Sequence, residues 1–238
     1  MKGKWIFKID ALSARKWYIL LAVYFVFLLV RGDCYIIFSV GDFVGTHLYR
    51  YLQFYPGILI IMLTADLFEE TFRREAKLYL QSFGLSVFRI ILGRVARLFL
   101  GIAVLYVPML LYSIPRLNDS LAAFYQMFPS MFPSDKMLPM VGYAVPLVHC
   151  LVIVLFLICA TMFVQFIAES KSISVMFLFS FLAFDVLVSR NYFAPYNIFR
   201  GAFDPPELYV LCTPNILVAI VAIPVFLSTI CLRYRSGK

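Results

Sequence analysis

Charge is what this chain has least of. Only 14% of its 238 residues are Asp, Glu, Lys or Arg, where soluble globular domains carry about a quarter. It has two histidines, and none of its five cysteines stands at CxxC spacing. That argues against a structural metal site or a haem attachment site. No GxxxxGK(S/T) occurs, so there is no loop of that type to cradle nucleotide phosphates. The chain also lacks a soluble stretch large enough to supply an ATPase domain. No Ser–His or Cys–His arrangement stands out as a nucleophile and its base, and there is neither an internal repeat nor a low-complexity tract.

What is present in excess is hydrocarbon. Hydrophobic residues make up 63% of the chain and the mean hydropathy is +0.91. One water-facing globule cannot hide so much apolar surface, which points to an all-α integral membrane protein. A spanning helix needs about 20 mostly apolar residues. Six segments fit: Trp17–Val30, Tyr51–Leu67, Gly93–Ile114, Tyr143–Ala168, Ile173–Ser189 and Pro214–Leu232. They form a single transmembrane domain over residues 1–238. Pro108, Pro146 and Pro224 fall in spans three, four and six, where each removes a backbone donor and permits a kink.

The pI near 9.3 and net charge of +8 raise the question of a nucleic-acid partner. With both termini placed inside, fifteen Lys and Arg lie inside the bilayer and six outside. The basic excess is therefore topological, by the positive-inside rule, and no nucleic-acid partner is expected.

The N-terminus resembles a signal peptide until Arg31-Gly32-Asp33, which offers no small-residue cleavage site. We read Trp17–Val30 as a retained span preceded by a cytosolic segment over residues 1–16. In that segment Trp5, Ile9 and Leu12 share a helical face, although Phe7 spoils the pattern. An interfacial helix and a disordered basic tail are both open readings there.

Two aromatic- and proline-rich outer loops are expected, Arg116–Met140 and Arg190–Thr213, resting at the interface. The first contains a formal glycosylation acceptor, Asn118-Asp119-Ser120. Cys34 and Cys212 both fall in outer loops, where a disulfide and two free thiols remain open.

One stretch breaks the apolar pattern. FEETFRREAKLYLQSFGLSVFR (Phe68 to Arg89) holds seven charged residues between two spans. Glu70, Arg73, Arg74 and Lys77 recur at i, i+3, i+4, i+7, with Phe68, Phe72, Tyr79 and Phe83 opposite them. Glu75 alone sits among the aromatics. Glu70 and Arg74 make a helix-supporting pair, and Gly84 ends the helix. An amphipathic helix at the inner mouth of span two is expected.

These residues carry a resemblance. EAKLYLQSFGLSVFRIILGR (Glu75 to Arg94), after an acidic end to span two, resembles the membrane subunits of ABC-2 type ABC transporters. In that family an acidic residue and a short Leu-rich helix are followed by a turn, then by a small residue and a base entering span three. A proline is common at the turn, whereas this chain has Ser82-Phe83-Gly84-Leu85-Ser86. The resemblance covers nearly the whole chain and implies six spans, inside termini, an N-terminal interfacial helix and re-entrant elements between the last two spans. It also implies a cytosolic coupling helix that docks on a separate ABC ATPase, which binds the ATP. By that resemblance Glu70, Arg73, Arg74, Glu75 and Lys77 form the first ATPase contact. Glu169 and Lys171, in the inner loop Ala168–Ser172, form the second. The chain itself would hold no cofactor or metal and catalyse nothing. A second permease copy or a related subunit would complete the pathway in the plasma (inner) membrane.

Two other readings are weighed. Membrane-depth Asp66 and Asp185 raise an ion-coupled secondary transporter, against which stands the absence of a repeat or broken-helix pair. EETFRR (Glu69 to Arg74) with FVGTH (Phe43 to His47) resembles the CAAX-type membrane metallopeptidases. In that family the FxxxH element follows EExxxR, whereas here it precedes it, and His149 lacks its expected partner. The charge-derived topology also puts both histidines near the outer side and the two glutamates inside. About 30 Å of bilayer would separate groups that must share one ion.

Overall fold

A computed structural model of the chain describes residues 3–30, 53–72, 87–127, 142–187 and 206–235. Among these residues the secondary structure is almost entirely helical, with no strand. The six principal helices are α1 (Gly3–Val30), α2 (Tyr55–Phe72), α3 (Val87–Met127), α4 (Ala144–Ala168), α5 (Lys171–Leu187) and α6 (Pro206–Arg235). The helical class expected from composition is thus observed. Arg89–Ser120 and Pro146–Ala168 are long and apolar enough to cross a membrane.

The helix ends differ from expectation in four places. After Gly3, α1 runs to Val30 without a break, because no glycine or proline interrupts it; the segment before Trp17 continues the first apolar helix. The second helix passes Leu67 and carries Phe68, Glu69 and Glu70 with it. The third extends over 41 residues, through Pro108 and Pro115, to Met127. The expected loop after Arg116 is therefore helical at its start, and Asn118-Asp119-Ser120 lies in helix. The last helix begins at Pro206 rather than Pro214. Pro146 sits in the first turn of α4, where a missing N–H leaves no helical bond unmade, so it kinks nothing.

α4 is the centre of the bundle, packing on α2, α3, α5 and α6. It runs beside α2 in the same direction, as two contacts fix. Near the start of both helices Gln53 Nε2 lies 3.4 Å from Cys150 Sγ. Near their ends Gln165 Nε2 donates to the Ala65 carbonyl at 3.0 Å. Between them Gly57 lets the side chains of Leu157 and Leu182 approach α2 closely, the former 3.3 Å from where a Cβ would stand. α1 lies on α3 in parallel, with Tyr18 over Gly101 and Phe25 edge-on to Tyr106 at 5.4 Å.

Hydroxyl groups in this apolar interior are satisfied within their own helices. Thr64, Ser113 and Thr161 each donate to the carbonyl four residues earlier, at 2.6–2.7 Å. That is the arrangement a solvent without hydrogen bonds requires.

The perimeter is apolar too. Ile19, Val23, Val26 and Val30 on α1, Leu100, Val104 and Leu111 on α3, and Leu217, Val221, Val225 and Leu232 on α6 are all exposed. Residues three or four apart line the outer faces, a surface suited to lipid rather than water.

Gly101 marks the tightest packing. A Cβ there would meet the Tyr18 hydroxyl at 2.6 Å. Tyr18 can swing its ring end aside for one methyl group, but not for a larger side chain. Gly101→Leu should destabilise the bundle by about 1–3 kcal/mol through overpacking, read as a lower melting temperature of the detergent-solubilised chain. Gly101→Ala should cost less than half of that.

Candidate functional site

At one end of the bundle the start of the apolar part of α1, the end of α2, the end of α4 and the start of α5 come together. Asp66 is their meeting point. Its side chain retains 10% of its exposure and receives three donors. Lys16 Nζ lies 2.8 Å from Oδ2, the Trp17 indole N–H donates to the same oxygen at 2.6 Å, and Lys171 Nζ pairs with Oδ1. Lys171 also reaches Glu69 Oε2 at 3.4 Å. One carboxylate thus joins three helices that are far apart in sequence.

The local sequence explains how these groups arrive. Trp17 opens the apolar run of α1 and Lys16 precedes it, so both stand where the hydrocarbon begins. Asp66 and Glu69, three residues apart, share a face at the end of α2. α4 closes at Ala168 with Glu169 in the left-handed conformation, φ 50°. Only Glu169 and Ser170 separate α4 from α5. Ser170 caps α5, accepting the Ile173 N–H at 3.4 Å. Ser174 pins the hairpin by donating to the Thr161 carbonyl at 3.0 Å. This rigid turn delivers Lys171 to the acids of α2.

The Asp66 carboxylate beside Lys171 raises the lysine's pKa above its ordinary value of 10.5, against the opposing effect of burial. Lys171 is therefore a cation at physiological pH. A raised pKa in the folded state adds stability below the ordinary value, which is lost as pH climbs through the folded one.

Behind the turn lies a cavity of about 480 Å³, walled by Glu69 and Phe72 of α2, Gln165 of α4 and the turn from Glu169 to Ser172. Phe72 closes its apolar side, stacked on Phe68 at 5.7 Å and edge-on to Phe166 at 5.5 Å. Gln165 is 2% exposed. Its amide N–H is used by Ala65, while its carbonyl oxygen has no hydrogen-bond partner.

Of the residues singled out in the sequence, the structure brings Glu169 and Lys171 to this site, with Glu70 one residue beyond Glu69 on α2. Arg73, Arg74, Glu75 and Lys77 lie outside the described residues, as do Cys34 and His47. His149 is fully buried near the start of α4, at the level of Gln53 and Cys150. Glu69 stands sixteen residues further along α2, roughly 24 Å at 1.5 Å per residue. His149 and Glu69 are thus at opposite ends of the bundle. Asp185 lies on α5.

Lys16, Trp17 and Gln165 were not anticipated as site residues. Gln165 did leave a trace in the sequence, as the lone amide in the apolar run of α4. No family model, curated protein or solved structure matches the chain.

Removing the charge at the meeting point tests its structural weight. Asp66→Asn leaves two ammonium groups facing each other and should lower stability by roughly 1–3 kcal/mol. That is less than the 3–5 kcal/mol of a fully buried pair, because Lys16 keeps most of its solvent. Thermal melting in detergent reads the loss. In wild type, melting between pH 7 and pH 10 should show no loss attributable to Lys171; a fall should begin only above the ordinary lysine value.

Proposed function

We propose that the chain is the membrane-spanning permease subunit of an ABC-2-like, ATP-driven exporter, coupled to a separate cytosolic ABC ATPase that binds the ATP. In this reading the six helices serve as six spans with both termini cytoplasmic, in the plasma (inner) membrane. A second permease copy or a related subunit completes the pathway, and the chain contributes no catalysis of its own.

The observation that carries the reading is the tie from Lys171 to Asp66 and Glu69. The two segments assigned to the ATPase by resemblance, Glu70–Lys77 and Ala168–Ser172, begin at the same end of the bundle. The ion pairs join the second of them to the helix that leads into the first. A displacement of the α4–α5 turn is therefore passed directly to α2, and through α4 to the other helices it packs against. Coupling needs such a contiguous chain of packed and paired groups. The directions of the helices add support: α1 and α3 run one way, α2 and α4 the other, as alternating spans require. The ion-coupled alternative draws less from this site, since a carboxylate already matched by two ammonium groups is a poor carrier for a transported cation.

The test is purification of the tagged chain in mild detergent, with the associated proteins identified. The expected partner is a subunit carrying a GxxxxGK(S/T) loop. Reversing charge with Arg73→Glu and Arg74→Glu should weaken that association at least about tenfold, the scale of a lost interface anchor, or uncouple ATP hydrolysis from transport. A chain that purifies without any such subunit, or a cysteine at position 75 labelled only from the external medium, would overturn the reading.

A further inference from the structure

The cavity behind the α4–α5 turn has chemistry that the coupling role leaves unused. Its charged lining consists of two carboxylates, Glu69 and Glu169, and one ammonium, Lys171. That ammonium is directed at Asp66 and Glu69. The floor adds the Gln165 carbonyl oxygen, buried and without a donor. A buried acceptor in that state costs free energy until a donor reaches it. The remaining polar lining, the Ser170 and Ser172 hydroxyls, can accept as well. The wall as a whole therefore calls for a ligand rich in N–H donors and positive in charge. Among the described residues no three acidic, His or Cys side chains converge closely enough to hold a metal ion, which directs the site to an organic cation.

The surroundings add a second property. Ser172 on the cavity wall begins the exposed face of α5, which continues through Ile173, Met176, Phe177 and Phe184. Ile167, two residues before Glu169, is exposed on α4. A ligand with its head in the cavity thus finds hydrocarbon surface immediately beside it.

The geometry points to a binding site for a primary ammonium group carried by an amphiphile. The ammonium donates to Gln165 Oε1 and Glu169, while the tail lies along the apolar face of α5. An amine-headed membrane lipid and a single-chain amine share this chemistry. The inference concerns the chain alone and does not depend on an ATPase partner.

The purified full-length chain can be tested by native mass spectrometry and thermal shift. Phosphatidylethanolamine is compared with phosphatidylcholine of identical acyl chains, whose trimethylated nitrogen has no N–H to donate. Phosphatidylethanolamine should be retained and should raise the melting temperature, with at least about a tenfold preference over phosphatidylcholine, as expected for the loss of a charged hydrogen bond. Glu169→Gln, at an exposed position that folding does not depend on, should reduce that preference severalfold. Gln165→Met, which keeps the volume, should do the same. Dodecylamine should displace the lipid, identifying the ammonium as the recognised group. Equal retention of the two lipids, an unchanged preference in Glu169→Gln, or failure of dodecylamine to compete would each overturn the inference.

Discussion

A carboxylate with one-tenth of its surface left to solvent, in a bundle otherwise made of hydrocarbon, has to be matched or it will not stay ionised. Asp66 is matched from two sides. Lys16 and Trp17 approach from α1 and Lys171 from the α4–α5 turn. Dispersion between helices is nearly indifferent to which apolar residue meets which, and lipid competes for the same contacts. A charge with three specific donors is not indifferent. It sets which helix ends lie together and at what depth, and α4 then packs in register along α2.

That register has a mechanical meaning. The parallel pair α2–α4 is pinned near one end by the Gln53–Cys150 contact and near the other by Gln165 and Ala65. Gly57 provides close approach between them. The two helices therefore behave as one stiff element. α5 folds back on α4 through a two-residue turn and contributes its lysine to the same acids. The cavity lies where this stiff element, the turn and the last residues of α2 meet, and its shape follows their relative position.

Much of the architecture was legible in the sequence because membrane helices announce themselves by length and apolarity. The span expected over Tyr143–Ala168 differs from α4 by one residue at its start, and the short α4–α5 connection was anticipated. The helix ends were less legible where helix-forming residues continue past the apolar run. LNDSLAAFYQM extends α3 beyond Pro115, and Pro206 opens α6 upstream of the apolar window. Pro146 read as a kink because its place in the first turn depends on where α4 starts. The site was legible only in pieces. Asp66 drew notice as an acid at membrane depth, and Lys171 as part of a turn. Their pairing spans about a hundred residues, and no periodicity encodes a contact of that separation. The Glu70–Lys77 pattern is a local one and was read as such.

The order in which the partners of Asp66 leave the ribosome has its own consequence. Lys16 and Trp17 are made first, Asp66 next, and Lys171 about a hundred residues afterwards. At roughly 5–20 residues per second, the last partner arrives some 5–20 seconds late. During that interval the α1–α2 hairpin must shelter the carboxylate with one lysine and one indole. The early pair keeps α2 settled in the bilayer while α3 and α4 are still being synthesised, and arrival of the second lysine closes the assembly.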